Sequence, residues 1–240
     1  MQKLTLIVPF EVPEGQEREM RQQWHGIGGQ LKHAPGFLSI RLYEVDSEVE
    51  AHLKRELSFR WLEERPAGKA RFRFVVIAEW ASLAQYEAAI RSSLPGRSLP
   101  FPSYLAYYHL AIGSSRPETP SNEQSFTFIV PFEVPEGQEE EMLQQFREIV
   151  EGMGRPEGSF GPGLYERDSE AEAHLRGLLS ARIGEERLSK TRFRFVNVAR
   201  WASLTHYETV IRSRSQAKPI SFPSHGAYYR VVDEFIAPNI

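Results

Sequence analysis

Apolar and polar positions alternate along LTLIVPFEV, Leu4 to Val12, in a run rich in β-formers that stops at PEGQ. A period of two predicts a strand with two distinct faces. From about Gln16 to Lys32 the spacing turns helical, and Pro35-Gly36 then leads into a second alternating run, FLSIRLYEV. In SEVEAHLKRELSFRWLEER, Ser47 stands where a helix N-cap belongs, and Val49, Leu53 and Leu57 share a face, which predicts a further helix. A third strand is expected in ARFRFVVIAEW and a helix in ASLAQYEAAIRSS, with Tyr86 and Ile90 four apart; a proline-rich loop then leads to a last strand in SYLAYYHLA. The order βαββαβ, with one helix inserted between strands two and three, describes a ferredoxin-like α+β unit.

The pattern is spelled twice. PFEVPEGQE occurs at Pro9–Glu17 and at Pro131–Glu139; Phe10 pairs with Phe132 and Tyr43 with Tyr165 at an offset of 122 residues, after which RFRFV, WASL and FPS recur at an offset of 121. Two domains are therefore expected, residues 1–112 and 126–240. Between them GSSRPETPSNEQS, Gly113 to Ser125, lacks an apolar period and reads as a linker, long enough to span roughly 40 Å when extended. A unit with helices on one face leaves its other sheet face bare, so the two units are expected to pack sheet to sheet. In strand three, Phe72, Phe74, Val76, Ala78 and Trp80 suit the helices. Arg71, Arg73, Val75, Ile77 and Glu79 suit the contact between sheets, with Glu11 and Glu133 as candidate partners for the arginines.

Composition narrows the chemistry. With 29 Lys and Arg against 32 Asp and Glu, the net charge is −3, and no basic stripe offers itself to nucleic acid or an acidic lipid surface. No stretch approaches the ~20 apolar residues of a membrane span, and the first residues show no cleavage pattern, so a soluble, cytoplasmic protein is expected. The chain has no cysteine, which excludes disulfides, thiolate nucleophiles and iron–sulfur ligation. GIGG at Gly26–Gly29 falls in a predicted helix and GSFGPG at Gly158–Gly163 in a predicted turn, so neither is a nucleotide loop; GxSxG and HExxH are absent.

RFRFVNVARWASLTHYE, Arg192 to Glu208, resembles the strand-helix segment of the antibiotic biosynthesis monooxygenase domains, a family of dimeric α/β-barrel proteins. The openings TLIVPFEVPEGQEREM and FTFIVPFEVPEGQEEEM are similar to its first strand and helix. The resemblance covers both halves without the linker and inserted helices, and implies one barrel folded from one chain. It also implies an activity. The family's cofactor-free oxygenases place an Asn and a Trp four apart on the third strand and a Tyr six residues after the Trp, around a polycyclic phenol; here these are Asn197, Trp201 and Tyr207. An electron-rich phenolate can pass an electron to O₂ unaided if donors orient its oxygens. In the first half Trp80 and Tyr86 match, but Val76 stands in place of the Asn, so that half is expected to be weaker or silent. Neither Arg212 nor Arg214 matches the family's later arginine. Trp80, Tyr86, Phe193, Phe195 and Phe222 are candidates for contacting the substrate rings.

His206, beside Tyr207, is a candidate general base, and its counterpart is Gln85. It equally suits an exposed helix position, as the aromatic residues suit a core. Glu48–His52 and Glu170–His174 are spaced for two ligands on one helix face, but the third ligand is missing, so no metal is expected. The loops Arg91–Ser103 and Arg212–Ser224 read as a pocket rim or as cover for a sheet edge. Three function classes follow: a cofactor-free monooxygenase or cyclase acting on an aromatic or polyketide-like natural product, a heme protein of the chlorite dismutase or heme oxygenase type, and a non-catalytic binding or scaffold protein. Heme degraders of this type carry a His ten residues after the Trp, where this chain has Ile90 and Ile211. Further association of whole molecules stays open.

Overall fold

The computed structural model describes residues 3–56, 70–93, 99–113, 125–183, 191–213 and 219–237. The remaining residues, including most of the expected linker and the end of the first inserted helix, lie outside the described residues. In chain order the elements are β1 (Leu4–Phe10), α1 (Glu17–Leu31), β2 (Phe37–Val45), α2 (Ser47–Glu56), β3 (Phe74–Trp80), α3 (Leu83–Ser93) and β4 (Ala106–Ile112). There follow β5 (Phe126–Phe132), α4 (Glu139–Met153), β6 (Ser159–Arg167), α5 (Ser169–Ile183), β7 (Phe195–Trp201), α6 (Leu204–Arg212) and β8 (Ala227–Ile236). Helix α1 forms because Met20, Trp24, Gly28 and Leu31 fall on one stripe and are buried together. Asp46, not Ser47, caps α2: its Oδ1 accepts from the backbone N–H of Glu48 at 3.2 Å and of Val49 at 3.0 Å. Asp168 caps α5 in the same way, accepting from Ala171 N at 2.9 Å. No helix among the described residues is long and apolar enough to cross a membrane.

The eight strands close into one antiparallel barrel in the order β1-β3-β2-β8-β5-β7-β6-β4. Each half of the sequence contributes four neighbouring strands, and the seams are β2–β8 and β4–β6. Period two then sorts each strand into an outward face under the helices and an inward face. On β3, Phe74, Val76, Ala78 and Trp80 join the helix-side core, while Val75 and Ile77 join an inner core that also holds Ile129, Val196 and Val198 from the other half. The alternation does not reach back to Phe72. That residue precedes the strand and lies in the inner core with its counterpart Phe193, ring centroids 5.3 Å apart and nearly perpendicular. Arg71 meets Glu11 at 2.8 Å and lies 3.9 Å from Glu133, as the sequence suggests. Arg73 instead pairs with Glu17 in the first turn of α1, and its counterpart Arg194 with Glu139 in α4.

GSFGPG is not a turn. All but Gly158 belongs to β6, whose register to β7 shifts between Ser159 and Pro162, and Gly158 and Gly161 have φ of 72° and 88°. Such density of Gly and Pro marks a bulged strand as readily as a loop. At Gly158 the conformation is required twice over: φ is left-handed, and a Cβ would lie 2.4 Å from the His206 ring. Gly158→Ala is therefore expected to destabilise the protein by about 1–3 kcal/mol in a denaturant melt. An unchanged midpoint would show that this turn relaxes freely.

A candidate active site on the helix side of the second half

Asn197 lies on β7 between Val130 of β5 and Leu164 of β6, on the face it shares with Phe195, Ala199 and Trp201. The residue is only 9% exposed, and its amide Oδ1 has no hydrogen-bond partner among the described residues. A buried polar atom left unmade costs about 1–3 kcal/mol. The apolar residues around it form two clusters. Phe195 and Phe222 pack with Val130, Phe146 and Leu164; Trp201 and Tyr207 pack with Phe126, Tyr228 and Leu53; Phe128 touches both. In the first half the corresponding layer is one continuous cluster, which includes Trp80 and Tyr86.

The reason is visible position by position. Each Trp has two register partners: Trp80 has Phe37, edge-on at 5.6 Å, and Leu4, whereas Trp201 has Ser159 and Phe126, so the ring beside it comes from the opposite strand. Leu6, Ile40 and Leu31 are buried, whereas their counterparts Phe128, Pro162 and Met153 are only half-buried. Gly28 admits the ring of Phe235 from β8 so closely that a Cβ there would lie 2.5 Å from it. The counterpart of Gly28 is Val150, whose side chain leaves no such space. Among the described residues the second-half layer is thus less completely buried than the first, at Phe128, Pro162 and Met153, around the strand that carries the unpartnered Asn197 oxygen.

Trp201 and Tyr207 meet at 5.2 Å with planes 74° apart, and the Tyr207 and Tyr228 hydroxyls are 2.7 Å apart. Burial pushes the Tyr207 phenol well above its ordinary pKa, and the hydrogen bond with Tyr228 only partly offsets this. At neutral pH Tyr207 therefore keeps its proton, available for a hydrogen bond but neither as a base nor as an acid. Tyr86 is pushed up to about 12 by the same cause. His206 is not brought to Asn197; its Nδ1 lies 2.7 Å from Ser203 Oγ, at the start of α6 and against Gly158. Phe193 is held in the inner core, away from the helix side. Two participants escaped the sequence reading. Tyr228 is legible in retrospect from the recurrence of AYY at Ala106–Tyr108 and Ala227–Tyr229. Leu53 was legible only as part of the apolar face of α2; that this face covers the other half has no local signal.

The histidines are engaged elsewhere. His52 pairs with Glu208 at 2.6 Å and His174 with Glu87 at 3.0 Å, each across the two halves, in place of the neighbours Glu48 and Glu170. His25, His109 and His225 pair with Asp233, Glu166 and Glu133, and His33 is exposed. Among the described residues no group of three or more His, Asp or Glu is placed to hold a metal. Ile90 is fully buried in the first-half cluster and Ile211 packs on the second, so neither layer offers heme an axial ligand at those positions. Arg212 reaches Glu56 at 3.6 Å on the surface; Arg214 lies outside the described residues. The two loops are pinned where they can be described, by bridges between Phe10 and Ser103 and between Phe132 and Ser224.

Fold and site together describe an α/β-barrel protein with an unpartnered buried amide oxygen in its second helix–sheet layer. The same fold occurs in a candidate monooxygenase from Fusobacterium nucleatum subsp. nucleatum, 10% identical over 100% of this chain and 96% of that one, with a TM-score of 0.55. It occurs also in an anthrone oxidase-like protein, 13% identical over 100% of this chain and 95% of that one, again with a TM-score of 0.55. At these identities the likeness is one of fold. No family model matches the chain, and no curated protein matches it.

Proposed function

We propose that the chain is a cofactor-independent enzyme of the antibiotic biosynthesis monooxygenase kind, a monooxygenase or cyclase acting in the cytoplasm on an aromatic, polyketide-like small molecule of natural-product biosynthesis. It is built as a tandem duplication of two ferredoxin-like domains, 1–112 and 126–240, that form an intrachain counterpart of a dimeric barrel, with a working site in the second alone. The observation that carries this reading is the buried, unpartnered Oδ1 of Asn197 in the less completely buried of the two layers among the described residues. A phenol or enol hydroxyl donating to that oxygen restores the missing hydrogen bond, and the apolar walls suit flat rings.

For an anthrone, the chemistry balances without a reductant. The methylene between the rings loses a proton to water, no side-chain base being at hand among the described residues, to give a delocalised phenolate, which passes an electron to O₂. Recombination at that carbon and loss of water leave a carbonyl: one oxygen atom enters the product, and the other departs as water with both methylene hydrogens. The Nδ2 hydrogens of Asn197 and the indole N–H of Trp201 are the donors to the anion, while Oδ1 accepts from a neighbouring phenol hydroxyl, and Tyr207 stays protonated. With 1,8-dihydroxyanthrone as probe, one O₂ is expected to be consumed per quinone formed, above the rate without protein, with no added flavin and no effect of a chelator. Loss of turnover on chelation, or a Soret band from stoichiometric heme in the purified protein, would overturn this reading.

A further inference from the structure

The inserted helices cross over. Helix α2 belongs to the first half of the sequence, yet Leu53 is fully buried in the cluster of Trp201, Tyr207 and Tyr228, with Val49 packed beside it. Its start is pinned to the same place, since Asp46 N donates to the Tyr228 carbonyl at 2.8 Å. Its outer face is tied to α6 by His52–Glu208 at 2.6 Å and Glu56–Arg212 at 3.6 Å, and Glu208 directly follows Tyr207. Helix α5 returns the arrangement: Ala171 and Leu175 lie in the first-half cluster, Asp168 N donates to the Tyr107 carbonyl at 2.7 Å, and His174 meets Glu87.

We propose that α2 is a positioning element of the second-half site: Leu53 and the His52–Glu208 pair hold the Tyr207 ring against Trp201, so that the site is assembled from both halves of the chain. The proposal rests on the reading of that site as the working one. The crossover symmetry supplies a matched control, because Leu175 does for the first-half layer what Leu53 does for the second-half one, at the same complete burial. A mere core residue would act alike at both positions.

The test is a titration of the full chain with 1,8-dihydroxyanthraquinone, followed by tryptophan fluorescence, together with thermal melts. Leu53→Ala and Leu175→Ala are expected to lower the melting temperature by similar amounts. Only Leu53→Ala should weaken probe affinity, by about tenfold, since small misplacements of positioned groups are costly, and Leu53→Met should restore most of it. His52→Ala against His174→Ala, the first partly buried and the second exposed, neither a core position, should repeat the contrast at about threefold. Equal effects within both pairs, or no effect of Leu53→Ala and His52→Ala, would overturn the proposal. Asn197→Val in the same titration separates the failures. If it weakens binding while the α2 variants do not, the positioning role fails alone; if it too leaves binding unchanged, the site reading fails and takes the positioning role with it.

Discussion

Asn197→Val is expected to lower turnover of the anthrone probe by about 10²-fold or more, the scale of losing one positioned polar group at a developing oxyanion, while the protein melts no lower than wild type. The second half of this expectation comes from the repeated sequence. Val76 occupies the equivalent position on β3 at 2% exposure, so the surrounding layer of the fold accepts valine. Removing the Asn197 amide also removes its unpartnered oxygen, a buried group that costs about 1–3 kcal/mol in the unliganded protein. A residue kept for structure would lose stability on replacement; one kept for chemistry loses rate and gains stability. Oxygen-uptake kinetics and a melt on the same preparation give both numbers. Unchanged turnover, or a melting temperature that falls with it, would place Asn197 among the structural residues.

The second large effect separates two tryptophans that the core treats alike. Trp80 and Trp201 are 1% and 3% exposed, and each stands about 5 Å from a tyrosine six residues on. Phenylalanine at either position leaves part of the indole volume empty and is expected to cost on the order of 1–3 kcal/mol of stability. Their surroundings differ: Trp80 lies between Phe37 and Leu4 in a layer that Phe235 also packs against, whereas Trp201 lies between Ser159 and Phe126 on the strand that carries Asn197. Trp201→Phe should therefore lower turnover by tenfold or more, and Trp80→Phe should leave it nearly intact.

Much of this architecture is written locally. Alternation in LTLIVPFEV and FLSIRLYEV, helical spacing after PEGQ and the repeat itself give the strands, the helices and their order, because period and turn chemistry act over a few residues. Barrel closure is not local. The seams β2–β8 and β4–β6 join strands far apart in sequence, and nothing within either strand names its partner. The same holds for His52, which sequence spacing couples to Glu48 and the fold couples to Glu208. Capping at Asp46 lay one residue from the expected Ser47, within the usual spread of helix boundaries. Asn197 stands out in the sequence as a candidate because its counterpart is Val76, a contrast that the repeated sequence exposes. The less complete burial of its layer was not legible, since Ser159 for Phe37 and Val150 for Gly28 acquire meaning only when Trp201 and the ring of Phe235 are in place.

The central claim, one working site per chain and in the second half, is tested most directly by counting. Calorimetric titration of wild type, Trp80→Phe and Trp201→Phe with 1,8-dihydroxyanthraquinone yields a stoichiometry and an affinity for each. The account predicts one site per chain in wild type and in Trp80→Phe, with affinity unchanged between them, and a loss of about tenfold or more in Trp201→Phe. Two equivalent sites per chain, or equal losses from the two substitutions, would contradict it.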